Sequence, residues 1–225
     1  MKILGIVGSP KGMRGNTAAL LDLVMAGARR DGAETEVVAI RGREVRPCQA
    51  CHTCHKKGLC PQKDGFNAIK DLALAADGLV LASPNYIFHV SAQLKAFLDR
   101  CCGLVHCQAF TGKYGAAVVT SGGGDEEPIA QYLNHFLATT GAIPVGAVWA
   151  TMGQINGTEF PAEIRDQALA LGKRLVEAWS NHETAPAFER QAAAFKERMR
   201  SLMLWRKDEW PYEYEYWQKH HGLKA

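Results

Sequence analysis

Short apolar runs alternate with longer stretches of helical period along residues 1–181. KILGIVG is followed by NTAALLDLVMAGARR and ETEVVAI; after an irregular, cysteine-rich stretch come GFNAIKDLALAA, GLVLASP and VSAQLKAFLDR. YGAAVVTS, EPIAQYLNHFLATT, AIPVGAVWA and PAEIRDQALALGKRLVEAW repeat the order. The strand-like runs are almost continuously apolar, which marks strands buried on both faces, and the longer segments repeat their apolar residues every three to four positions. Five such strands with helices between them predict an α/β domain built on a five-stranded doubly wound parallel sheet. Residues 182–225 depart in composition and read as a C-terminal helical and aromatic extension. Phe188, Ala192, Phe195, Met199 and Leu202 mark one apolar stripe, and EWPYEYEYWQKHHG follows it. This apolar surface exceeds what a small sheet domain requires, so the extension is expected to clasp a neighbouring subunit in a homodimer or homotetramer.

A doubly wound sheet places its ligand beyond the strand C-termini, where the strand order reverses, so the loops beginning at Gly8, Ser83 and Ser121 are the ones to read. The first, GSPKGMRGNT, leaves a strand and opens a helix, whose free N–H groups and dipole favour an anion. Ser9, Gly15, Asn16 and Thr17 offer donors there, and Lys11 and Arg14 add positive charge. The loop lacks both G-x-G-x-x-G and G-K-[ST], so a small phosphate monoester fits better than a dinucleotide or ATP. The later loops are SPNYIF and TSGGG, and three glycines in the second let a flat ligand approach the backbone.

GSPKGMRGNT, SPNYIFHVSAQLKAFLDR and TSGGG, in that order and spacing, resemble the flavodoxin-like NAD(P)H-dependent FMN reductases. The cysteine segment after the second strand makes the iron-sulfur flavoproteins the nearest group within them. The resemblance covers roughly the first three quarters of the chain and rests on several independent loops agreeing. It implies that Ser9, Asn16 and Thr17 bind the FMN phosphate, with Lys11, Arg14 and Gly15 in the same loop. It implies that Pro84, Asn85, Tyr86 and Ile87 follow the ribityl chain and ring edge, and that Ser121, Gly122, Gly123 and Gly124 lie against the isoalloxazine. The family's usual Asp-Asp pair after the cysteines reads Asp64-Gly65 here.

CQACHTCHKKGLC, within a loop spanning 46–62, brings Cys48, Cys51, Cys54 and Cys60 together at C-x₂-C-x₂-C-x₅-C spacing, with Pro61 after the last. Four thiolates from one loop suit a [4Fe–4S] cluster, and the longer final gap lets the loop wrap a single cluster. The resemblance to iron-sulfur flavoproteins supports that reading. Unligated or redox-active thiols, zinc held with His52 or His55, and haem on the overlapping C-x-x-C-H strings are the alternatives. Cys101, Cys102 and Cys107 lack the compact spacing and read as packing residues. Asp99 and Arg100 read as a surface or interface ion pair, and His220 and His221 as solvated ends. In the tail, Tyr212 or Trp217 is a further candidate to cap a flavin site across an interface.

Composition narrows the picture. With 225 residues, 47% hydrophobic and 22% charged, the chain has length for one sizeable core and an appendage. A net charge of +3 without a Lys/Arg block sets nucleic acid aside. MKILGIVGSP reads as a first strand rather than a leader, and no segment has the length of a membrane span, so a cytoplasmic protein is expected. Seven cysteines in a reducing compartment point to ligation or burial rather than disulfides. The expected function is an FMN-dependent oxidoreductase or electron-transfer flavoprotein that passes electrons from NAD(P)H or a reduced carrier to a small-molecule or protein acceptor. Hydride chemistry would belong to the flavin, so no catalytic side chain is named. A cluster-free FMN/quinone reductase and a non-enzymatic flavodoxin-type carrier are the alternatives.

Overall fold

The computed structural model describes residues 1–40, 45–155, 159–184 and 186–224, without the side chains of residues 186–189 and 191. Phe188 of the expected tail stripe lies outside the described side chains. Strands β1 (Lys2–Val7), β2 (Glu34–Ala39), β3 (Gly78–Tyr86), β5 (Tyr114–Ser121) and β6 (Ile143–Thr151) are joined by right-sized helical crossovers. They pair in parallel in the order β2-β1-β3-β5-β6. The short β4 (His89–Val90), which periodicity did not predict, folds back antiparallel on the end of β3. The order reverses at β1, which puts the switch-point crevice between the C-terminal ends of β1 and β3.

The apolar runs of β1, β3 and β5 are buried on both faces, whereas the edge strands β2 and β6 are only partly buried. One face carries α3 (Phe66–Ala75), α4 (Ala92–Arg100) and α6 (Glu126–Thr139), which bury Ile69, Phe97 and Leu133 against Leu4, Leu79 and Ala117 of the sheet. The other carries α1 (Asn16–Arg30) and α7 (Ala162–Ser180), with Leu21, Val24, Ala168 and Leu175 packed on Ile3, Val80 and Val118. The α1–α7 crossing is close because Gly27 and Gly172 sit in it. A methyl group at Gly27 would collide with the Leu169 carbonyl, and one at Gly172 with the Val24 carbonyl.

The sequence reading did not resolve two one-turn helices, α2 (Thr53–Lys57) inside the cysteine segment and α5 (Cys102–His106) after α4. The tail forms α8 (Pro186–Arg206) and α9 (Pro211–His221). Pro211 opens α9 at a position where its missing N–H costs nothing. Met199, Met203, Trp217 and Leu223 form a small separate core. α9 then packs on this chain's own α2. Trp217 is only 1% exposed and donates its indole N–H to the His106 carbonyl at 2.8 Å, so it is committed within its own chain and cannot cap a partner's crevice. Among the described residues, no helix is long and apolar enough to cross a membrane.

Candidate functional site

The crevice at the switch point has a volume of about 290 Å³ and is lined by Ser9, Lys11, Gly15, Asn16, Thr17, Pro84, Asn85, Tyr86, Thr120, Ser121, Gly122 and Met152. Three separate loops thus bring ten of the expected residues together, and Thr120 and Met152 join them. Arg14, Ile87, Gly123 and Gly124 are not in the lining. Arg14 is exposed in the turn before α1, and Ile87 stands at the tip of the β3–β4 hairpin, 90% exposed. Ile87 and Phe88 both hold positive φ, +50° and +62°, an arrangement that costs a bulky residue on the order of 1–3 kcal/mol.

At one end of the crevice α1 begins without a side-chain cap among the described residues and without an acidic residue in its first turn, which leaves its leading N–H groups free to take an anion. Gly15 leaves that helix start uncrowded: a Cβ there would lie 3.1 Å from Lys11 Cβ and 3.3 Å from Ser9 Oγ. Thr17 Oγ1 meets Thr120 Oγ1 at 2.7 Å, tying the first loop to β5. Beneath, Ser91 Oγ donates to the Gly8 carbonyl, and Gly8 has no room for a side chain against Leu94. On the far side Asn85 Nδ2 donates to the Gly124 carbonyl at 2.9 Å, while its Oδ1 is buried without a partner among the described residues. Glu126, which sequence reasoning missed, organises the glycine loop. Its carboxylate accepts from Ser121 Oγ and, at 2.6 Å, from Thr151 Oγ1. Burial raises its pKa, but these hydroxyls and two backbone N–H groups outweigh that and hold it below the usual carboxylate range.

The second cavity, about 180 Å³, is lined by Cys48, Cys51, Cys54 and Cys60 together with Cys102, Asp99 and Arg100. Ala50 and His52 adopt positive φ, +50° and +57°, and these turns fold the short segment round the cavity. Ala50 N–H points at Cys48 Sγ over 3.4 Å, and Cys51 Sγ lies 3.4 Å from Thr53 Oγ1. Arg100 corrects the expectation of an Asp99–Arg100 pair. Asp99 pairs with Lys95 one turn earlier, whereas the buried guanidinium of Arg100 binds Asp64 at 2.5 Å and donates to Cys60 Sγ at 3.1 Å. Its Nε is buried without a partner among the described residues. Asp64 also accepts the Arg46 and Phe66 N–H groups, so the loop is pinned by the aspartate that remains of the expected pair.

Beside this cavity Glu213 of α9, 0% exposed, accepts Nδ1–H of His55 at 2.6 Å and of His106 at 3.0 Å. Trp210 stacks on both imidazoles. Cys102 corrects the packing expectation: its Sγ lies 3.6 Å from His106 Nε2. Burial pushes that thiol up, but its bonds to His106 and His55 outweigh burial and bring it down to about 6. Burial lowers the His106 pKa, and Cys102 and Glu213 reverse that, raising it to about 9. Cys101 and Cys107 are buried, with thiols pushed up by desolvation, as packing residues should be. His221 is not a solvated end, since Nε2 donates to the Cys107 carbonyl at 2.8 Å. One signal for the missed cluster was present in the sequence: Cys102 and His106 stand four apart, on one helical face.

Residues 1–157 match the family model described as NADPH-dependent FMN reductase. An iron-sulfur flavoprotein of Archaeoglobus fulgidus is 37% identical over 191 residues, covering 84% of this chain and 86% of its own. A NAD(P)H dehydrogenase (quinone) of Cupriavidus metallidurans is 31% identical over 149 residues, 65% of this chain and 72% of its own. Among solved structures, a flavodoxin from the domain Archaea superposes with a TM-score of 0.54 at 14% identity, covering 80% of this chain and 99% of the flavodoxin.

Proposed function

The chain belongs to the NADPH-dependent FMN reductase family, among its iron-sulfur flavoproteins, and from that premise we propose how its two cavities divide the work. It is an FMN-dependent oxidoreductase or electron-transfer flavoprotein; FMN lies in the switch-point crevice and a [4Fe–4S] cluster on Cys48, Cys51, Cys54 and Cys60. The observation that carries the reading is the crevice, where an uncapped helix start, an open glycine cradle and the unpaired Asn85 Oδ1 lie in one lining. These features fit a phosphate monoester at one end and a ring with N–H donors further along. The cysteine cavity fits an anionic sulfur cluster: four soft ligands share it, and a buried guanidinium with an unused Nε–H already donates to one of them.

When bound, FMN supplies hydride and single-electron chemistry and the cluster supplies single-electron chemistry. The protein's own part is placement. The α1 N–H groups and Lys11 neutralise the phosphate, Ser9 and Thr17 offer hydroxyls, and Asn85 Oδ1 accepts a hydrogen bond. Glu126 holds Ser121 and Thr151 so that the Gly122 backbone stays flat against the crevice. Arg100 offsets thiolate charge at Cys60 and is held in place by Asp64. The two sites sit at opposite ends of α4: Ser91, its N-cap, floors the crevice, and Arg100, its last residue, lines the cysteine cavity. Nine residues of helix separate them by about 13 Å along the axis. NAD(P)H or a reduced carrier is the proposed donor, and the acceptor is a small molecule or protein. A cluster-free quinone reductase is the second reading, favoured by the likeness to the Cupriavidus dehydrogenase.

Flavin titration tests the crevice. Thr17→Val, which removes a hydroxyl and leaves the shape, should weaken FMN binding by roughly tenfold to a hundredfold, since hydrogen bonds to charged groups contribute about 1.5–3 kcal/mol. Riboflavin, without the phosphate, should bind the parent and the variant alike. Equal FMN affinity in the two proteins would remove the phosphate from this loop.

A further inference from the structure

We propose that His55, Cys102 and His106 form a second, mononuclear metal site for a zinc-class divalent ion, with Glu213 as its outer carboxylate. None of its three ligands is among the four cysteines assigned to the cluster.

The argument begins with orientation. One ring nitrogen of each imidazole and Cys102 Sγ all lie within 4.8 Å of one another. Nδ1 of both rings is held by the two oxygens of one carboxylate, Glu213 Oε1 and Oε2. With Nδ1 of each ring taken by Glu213, Nε2 is the nitrogen left for an ion, which displaces its proton on binding, the arrangement that outer carboxylates impose on metal-bound histidines. The imidazoles stand side by side over that one carboxylate, 5.0 Å between centroids with 20° between their planes. Cys102 Sγ meets His106 Nε2 at 3.6 Å. Around a tetrahedral zinc with its usual Zn–S and Zn–N lengths, sulfur and nitrogen stand about 3.6 Å apart. The gap suits two ligands of a common ion as well as it suits a weak hydrogen bond.

Burial adds a second argument. A fully buried carboxylate is costly unless charge and hydrogen bonds compensate it, and here the tail supplies Glu213 to two rings contributed by α2 and α5. Trp210 walls the rings at 4.4 Å and 5.2 Å between centroids. One thiolate and two imidazoles are of borderline softness, which selects the zinc class over magnesium or calcium. Three protein ligands leave a fourth position free for water or an exogenous group.

Cobalt(II) isolates the site. In the full chain with Cys48, Cys51, Cys54 and Cys60 all replaced by Ser, and FMN binding used to show that it is folded, Co(II) should bind at one ion per chain and give a thiolate-to-cobalt absorption band. Cys102→Ser on that background should abolish the band, and Glu213→Gln should weaken binding tenfold to a hundredfold. A folded chain that shows no band, or a band that survives Cys102→Ser, overturns the proposal. Should that chain fail to fold, elemental analysis of anaerobically prepared parent protein decides. The parent should carry one zinc-class ion beyond the cluster iron, and His106→Gln should lose that ion alone. Its absence from the parent, or joint loss of iron and sulfide in the variant, overturns the proposal. The four-serine chain separates this outcome from failure of the cluster reading.

Discussion

Asp64 shows how much one side chain can carry. Burial alone would raise its pKa, but the guanidinium of Arg100 and the N–H groups of Arg46 and Phe66 outweigh it and hold the carboxyl down to about 2. Because the folded value lies below the ordinary one, the contribution is full at neutral pH and is withdrawn as the pH falls from about 4 towards 2. The difference is worth about 2 kcal/mol. Asp64→Asn should therefore lose about that much in urea unfolding at pH 7, with the gap to the parent roughly halved near pH 3. A gap of constant size across that range would mean that Asp64 acts through packing rather than charge. At this scale the crevice was legible in the sequence, because Ser9 follows β1, Asn16 and Thr17 open α1, and Pro84 and Ser121 stand at the C-terminal ends of β3 and β5. Glu126, Arg100 and Glu213 were not: a buried charge is explained only by its partner, and Glu213 meets His55 across 158 positions.

Elements were read from period and punctuation, and they failed where those signals are short. The five long strands and the helices between them repeat their pattern over many residues. β4, α2 and α5 are only two to five residues long and fall below any periodicity. In α9 the tyrosines at every second position lie on a helix that Pro211 starts and tertiary contact with α2 holds. Close packing of α1 on α7 supplies the prediction at this level. Gly27→Ala or Gly172→Ala should each cost about 1–3 kcal/mol, because the added methyl meets backbone and cannot be relieved by a rotamer. Thermal unfolding of either variant at the parent's temperature would contradict the packing. The tail's expected role between subunits remains a proposal and falls first to α8, since α9 buries Trp217 inside the chain and Trp205 on α8 is 73% exposed. Trp205→Asp should lower the native mass in size-exclusion with light scattering, and an unchanged mass places the contact elsewhere.

At the scale of the whole molecule, the sheet topology brings the crevice and the cysteine cavity to opposite ends of one helix. The tail packs beside the second of them, with α9 against α2. The cysteine spacing left cluster, zinc and free thiols open because spacing fixes reach and not softness or charge. The fold adds what spacing lacked: four thiols on one cavity, a buried Arg100 donating into it, and the flavin-type crevice one helix away. The most direct test is the joint content of FMN, iron and sulfide in protein purified without oxygen, beside Cys60→Ala prepared the same way. The account predicts about one FMN, four iron and four sulfide per chain in the parent. It predicts retained FMN with iron and sulfide lost in the variant. A parent that binds FMN but takes up neither iron nor sulfide, even when both are supplied anaerobically, would contradict it.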